Sequence, residues 1–318
     1  MAGESAGRAS GQVIIRDSTL REGMDVPRVD FSMEQRLRIA GLLDKAKVPE
    51  IEVVAPGKIA EDLPFAGKLK EQGLRIRTSG LVYSFSPRCK EDIVRLSECL
   101  DRFDILMPVS EKRRPFDRGT KTSLLLEVLD FSLQHAADVG VGFPHSTQAD
   151  PGFLQEISRA AVKRGTRRIV VYDTNGSAEP SEVYELIKRL RPAVDVPLFF
   201  HAHNDLGLAT ANSLAAVHAG EDGLDTTVNG LGDRAGNASF EQVVMVLHLK
   251  GFSSGISLEA LKGLSEVVAE ESGVEIPGLA PILGEHIATH KSPGHLEIPE
   301  LFEAFDPSLV GLDRKIDK

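Results

Sequence analysis

The chain has 318 residues, 42% hydrophobic and 26% charged, and a formal net charge of −10. That length can bury a sizeable core as one large domain or two ordinary ones, and the acidic balance argues against nucleic acid, whose partners carry clustered basic charge. An anionic small molecule would need local positive charge, supplied by a metal or by placed arginines.

The polar start at residues 1–11 has no apolar signal segment and reads as a disordered tail. Short apolar runs then alternate with longer amphipathic ones. Strands are expected at 12–16 (QVIIR), 50–54 (EIEVV), 75–82 (RIRTSGLV), 103–107 (FDILM), 140–143, 168–172 (RIVVY), 198–203 and 223–228. Helical periodicity covers 33–45, 121–139, 151–164 and 180–190, with Ser32 and Gln35 spaced as a capping box and Pro180 opening the last of these. Cys89 and Cys99 lack both disulfide-framework and metal spacing, which fits a reducing compartment. No apolar run approaches the roughly 18 residues of a membrane span, so the expected location is the cytoplasm.

About eight strand–helix units before residue 250 predict an α/β fold, a (β/α)8 TIM barrel over 12–252. A short C-terminal helical and loop appendage follows at 253–318. A dinucleotide-binding sheet is the competing architecture, but the turn after the first strand, DSTLREGMD, lacks G-x-G-x-x-G.

In such a barrel, chemistry collects at the C-terminal ends of strands. His201 and His203 close the seventh strand, and residues two apart share a face. Two imidazoles and one carboxylate can hold a divalent metal with positions left open for substrate. Arg16, Asp17, Arg21 and Glu22 stand at the end of the first strand and just past it, and Asp17 and Glu22 offer carboxylates, although a solvated loop would read the same way. The glycine-rich NGLGDRAGNAS (229–239) reads as a phosphate nest, as a flexible loop, or as a segment whose Asn229, Asp233, Arg234 and Asn237 organise the surroundings of a metal.

Taken together, TLREG, HAHND and NGLGDRAGN over a barrel pattern resemble a family of metal-dependent barrels, from about Val13 to Leu312. Its members are the homocitrate, isopropylmalate and citramalate synthases, with hydroxymethylglutaryl-CoA lyase and the 4-hydroxy-2-oxovalerate aldolases as relatives. The resemblance implies Glu22, His201, His203 and Asn237 as the metal set, with the ion left open among Zn, Mn, Mg and Co. It implies Arg21 as stabiliser of an enolate-like oxygen and Thr174 as a contact of the substrate carboxylate. His295, with His290 beside it, matches a catalytic histidine of the synthases' post-barrel segment.

Several positions depart from the synthase pattern. Pro144 and Gln148 stand where a Glu and an Arg are usual, Tyr83 replaces a substrate-holding Arg, Asp25 a Gln, and Phe302 a Tyr. Tyr83, Gln148 and Asp25 are therefore expected to line an altered substrate pocket, with His145 taking over part of the missing Glu's role. The resemblance implies a Claisen condensation of an acyl-CoA, acetyl-CoA first among them, with a 2-oxo acid, in a homodimer. The alternatives are an aldolase or lyase acting on a hydroxy-oxo acid without CoA hydrolysis, and an inactive barrel kept for binding.

Overall fold

A computed structural model describes residues 11–111 and 117–317 of the chain. Eight parallel strands close on themselves: β1 (Ile14–Asp17), β2 (Glu50–Val54), β3 (Arg77–Tyr83), β4 (Arg102–Leu106), β5 (Val139–Phe143), β6 (Ile169–Asp173), β7 (Leu198–Ala202) and β8 (Gly223–Thr226). Closure is made by β1, which pairs with β2 on one side and with β8 on the other. The helices between them are α1 (Met33–Lys45), α2 (Ile59–Glu71), α3 (Cys89–Cys99), α4 (Arg118–His135), α5 (Pro151–Arg164), α6 (Pro180–Leu190) and α7 (Ala209–Ala219), and α8 (Phe240–Leu249) follows β8. This is the (β/α)8 barrel that the alternating pattern predicts.

Local signals explain several boundaries. Ser32 Oγ accepts from the Gln35 N–H at 3.3 Å and Gln35 Oε1 accepts from the Ser32 N–H at 2.7 Å, which closes the capping box of α1. Asp150 caps α5 by accepting from the Phe153 N–H at 2.7 Å, with Pro151 in the first turn. The helix expected at 121–139 spans Arg118–His135 instead. Ala136 is already extended (φ −143°), because Val139 must leave for the sheet and pair with Phe103. The third strand starts two residues later than expected and runs to Tyr83, and the seventh ends at Ala202, with His203 held beyond it in an isolated bridge to Asn237.

Apolar faces of the helices pack on the outside of the barrel, as with Ile39 and Leu43 of α1, Ile93 and Leu96 of α3 and Val183 and Ile187 of α6. The interior is different. It holds an apolar cluster of Leu81, Leu106, Val170, Tyr172 and Phe199. Against this cluster an ionic set is buried, Arg16, Glu50, Glu52, Asp104, Arg168 and Asp225, with Arg168 and Arg16 over the Phe199 ring at 4.8 and 5.8 Å. Gly140 makes room for this network, since a Cβ at that position would fall 2.0 Å from Asp104 Oδ1.

Beyond the barrel, α9 (Leu261–Ser272) returns to α1, where Gln35 donates to Glu271 at 2.6 Å. The appendage ends in short elements. Strands β9 (Thr289–His290) and β10 (Lys315–Ile316) pair in parallel, and the brief helix α10 (Pro293–Glu297) lies between them in the chain. Cys89 and Cys99, at the two ends of α3, are free thiols. Among the described residues no helix is long and apolar enough to cross a membrane.

Candidate metal centre at the barrel mouth

Glu22 opens a 3-10 turn that four residues separate from the end of β1, its backbone N–H tied to Ser18 O at 2.7 Å. His201 lies inside the barrel in register with Tyr172 on β6 and Asp225 on β8. His203 continues the same face one step higher. Ligand atoms of Glu22, His201 and His203 all lie within 4.8 Å of one another, and all three residues are buried. Asn237 is brought in by the strand-8 loop, which is laced onto the end of β7: Asn204 N–H donates to Gly236 O at 2.9 Å and Ala238 N–H to Ala202 O at 3.1 Å. Its Nδ2 then lies 3.0 Å from His201 Nε2. Gly232 passes so close that a Cβ there would sit 1.9 Å from Asn237 Oδ1.

The donor set suits a divalent cation. His203 Nδ1 and Asn237 Oδ1 are buried without a hydrogen-bond partner, a costly state that a ligand would relieve. His201 donates from Nδ1 to Asp225 at 3.0 Å, which turns Nε2 toward Glu22 at 3.4 Å. Two imidazoles, a carboxylate and an amide oxygen leave room for exogenous ligands. Glu22, His201, His203 and Asn237 would hold such an ion.

Charge is finely set around this point. Burial alone would lower the Arg21 guanidinium, but Glu22 and Glu52 outweigh it and keep Arg21 charged; its Nε donates to Glu52 at 2.7 Å. Burial would also raise Glu22, yet Arg21 and then His201 hold its carboxyl far below the ordinary range. Burial pulls His201 down, but bonds to Asp225 and Glu22 lift it to about 8. Burial, with His201 next, drops His203 to about 3. At neutral pH His203 is an uncharged donor, while His201 must release a proton to bind a metal.

The remaining expected residues separate into two groups. Near the mouth, Thr174 Oγ1 accepts from the His145 N–H at 2.7 Å, and His145 sits in the left-handed region (φ 63°). Tyr83, at the end of β3, stacks on Phe85 at 4.9 Å and packs against the apolar cluster of the interior. Gln148 is exposed at the end of the turn Ser146–Gln148, and Asp25 is exposed and paired with Lys58 at 3.0 Å. His295 lies in the appendage. Its ring stacks on Phe302 at 3.9 Å and its Nδ1 lies 3.4 Å from that of His290, which in turn meets Glu303 at 2.9 Å.

Within the strand-8 loop the roles divide. Arg234 joins three loops by pairing with Asp205 at 2.7 Å and donating to Thr174 O at 2.9 Å, and it also pairs with Asp233 at 2.5 Å. Asn229 faces away from the ion site and donates to Ser265 O at 2.9 Å. The interior ionic network escaped the sequence reading. Its signal was a charge at alternate positions inside otherwise apolar strand runs: Glu50 and Glu52 in EIEVV, Asp104 in FDILM and Arg168 in RIVVY.

Comparison with known proteins gives four findings. A family model described as HMGL-like matches residues 12–268. The chain is 34% identical over 315 residues to homocitrate synthase AksA of Methanopyrus kandleri, covering 96% of this chain and 78% of that protein. It is 33% identical over 314 residues to 2-isopropylmalate synthase 2 of Caldanaerobacter subterraneus subsp. tengcongensis, covering 96% and 81%. In fold it is similar to the HMG-CoA lyase of Bacillus subtilis, with a TM-score of 0.72 at 19% identity over 84% of this chain and 95% of that one.

Proposed function

The chain belongs to the HMGL-like family, and on that premise we propose that it condenses an acyl-CoA, acetyl-CoA first among them, with a 2-oxo acid in a metal-dependent Claisen reaction that releases CoA. The observation that carries this reading is the convergence of Glu22, His201 and His203, with ligand atoms within 4.8 Å, beside the buried guanidinium of Arg21. Likeness to homocitrate and isopropylmalate synthases over 96% of the chain supports the substrate classes.

A divalent cation in this site supplies Lewis-acid polarisation of a 2-oxo acid's carbonyl. The chain's own groups do the rest. Arg21, fixed by Glu22 and Glu52, places permanent positive charge where the keto oxygen gains negative charge. Thr174 already accepts the His145 N–H, which leaves its hydroxyl proton to donate to the substrate carboxylate. His145, whose backbone N–H makes that bond, is assigned the exchange of a proton with the thioester's methyl group or the product oxygen. His295 serves as acid or base from the appendage, positioned by its stack on Phe302. The reading includes a homodimer and a cytoplasmic setting.

The test is thiol release from acetyl-CoA with a panel of 2-oxo acids and added divalent cations. Release that depends on both the oxo acid and the metal supports the condensation. A second reading, cleavage of a hydroxy-oxo acid without CoA, is favoured by Pro144 and the exposed Gln148, which stand where the synthase pattern carries a Glu and an Arg. It predicts metal-dependent pyruvate release and no thiol. Exchange of His145 for Ala should lower turnover and shift its pH profile; an unchanged profile removes His145 from the account.

A further inference from the structure

One residue that enters neither the ligand set nor the proposed chemistry touches His201 directly. Asp225, on β8, is 1% exposed and has both carboxylate oxygens engaged. Its Oδ1 accepts from Arg16 Nε at 2.7 Å, and its Oδ2 accepts from Arg16 Nη2 at 2.6 Å and from His201 Nδ1 at 3.0 Å. The guanidinium is itself fixed, because Nη1 donates to Asp104 Oδ2 at 2.7 Å and lies 3.1 Å from Glu52 Oε1. Arg16 and Asp225 are also partners in strand register, so backbone and side chain impose the same geometry.

We propose that Asp225, clamped in two places by Arg16, is a positioning residue that fixes which nitrogen of His201 carries the proton and so presents Nε2 bare to the ion. The inference rests on the metal reading of the site. The chemistry is restrictive. A carboxylate has only acceptors, so the clamped pair of oxygens can meet His201 Nδ1 only as N–H. The Nε2 lone pair then faces Glu22 and Asn237, where an ion would lie. Partners of this kind on a ligating imidazole set both tautomer and affinity.

An amide at this position cannot do the same. With its oxygen toward His201, its NH2 would confront Arg16 Nε–H, donor against donor. Turned over, its NH2 would donate to His201 Nδ1 and drive the proton onto Nε2, where it blocks ligation. Asp225→Asn should therefore weaken Co²⁺ or Zn²⁺ binding to the metal-free protein by about 10- to 100-fold. Asp104→Asn is the matched control: it loosens the same guanidinium but leaves both Arg16 bonds to Asp225 in place, and should weaken metal binding far less than Asp225→Asn.

Both variants are titrated with Co²⁺ while the visible absorption band is followed, and their folding is checked by circular dichroism and thermal melting. A selective loss in Asp225→Asn supports the inference. Equal loss in both variants, or none in Asp225→Asn, overturns it while wild-type binding leaves the metal reading in place. Wild-type protein that takes up no Co²⁺ overturns the metal reading and this inference together. Should Asp225→Asn fail to fold, nitrogen-15 histidine spectra of the metal-free wild type at alkaline pH decide the matter. Neutral His201 protonated on Nδ1 supports the inference, and protonation on Nε2 overturns it.

Discussion

Burial and buried partners together set the charge state of single residues here, and the consequences can be measured. In the metal-free protein His201 is raised to about 8, above its unfolded value near 6.5. Such a group adds stability that is full below pH 6.5 and is lost as pH rises through 8. Asp17, raised by burial to about 7 despite two bonds from Thr19, acts in the same direction between pH 4 and 7. Metal-free protein should therefore lose roughly 2 kcal/mol of urea-derived stability from His201 between pH 6 and 9, offset by roughly 1 kcal/mol from His203, whose lowered value adds stability as pH rises through 6.5, whereas metal binding should tighten over the same interval. A stability that rises with pH there would remove the assigned charge states. A second expectation concerns Gly232. Its replacement by Ala forces a Cβ against Asn237, costing about 1–3 kcal/mol by overpacking and weakening metal binding, both visible in a melt with and without Zn²⁺. Unchanged affinity would mean that Asn237 takes no part.

Among elements, the strands were the most readable, because short apolar runs between helical segments fit parallel strands covered on both faces. Helix starts were also readable where chemistry fixes them. Ser32→Ala should remove the box at the start of α1 and cost about 1 kcal/mol in chemical denaturation, with no effect on metal affinity. Helix ends were harder. Residues Ala136 and Ala137 favour a helix locally, but sheet pairing of Val139 overrides that preference, so the end of α4 could not be read from propensity. The shared face of His201 and His203 was legible from strand alternation, whereas Glu22 was singled out among the charged residues after β1 only by the family resemblance; barrel closure, which sets β1 beside β8 and β8 beside β7, is what makes the three meet. Asp225 was not, because a single acid in GLDTT looks like a strand end until its Arg16 partner, 209 residues earlier, is seen beside it.

For the whole molecule, the barrel is held by two unlike interiors. One is an apolar cluster and the other an ion network in which Arg168 donates to Glu50 at 2.9 Å and to Asp104 at 2.9 Å. Pairs buried this deeply add little net stability, but removing one partner leaves charge stranded. Arg168→Met should cost about 3–5 kcal/mol in urea unfolding, far more than loss of an exposed pair such as Lys68–Glu71. A cost below about 1 kcal/mol would show that the network is not a structural requirement. The same network supports the bottom of the ion site through Arg16 and Asp225, so the scaffold and the candidate chemistry share one set of contacts.

The central claim, that Glu22, His201 and His203 together bind one divalent cation, is tested most directly by elemental analysis after equilibration with Zn²⁺, Mn²⁺ or Co²⁺ and removal of free ion. Wild-type protein should retain one ion per chain, and a folded Glu22→Gln, His203→Ala double variant should retain none. Full occupancy in the double variant, or an empty wild type under every cation tried, would contradict the account.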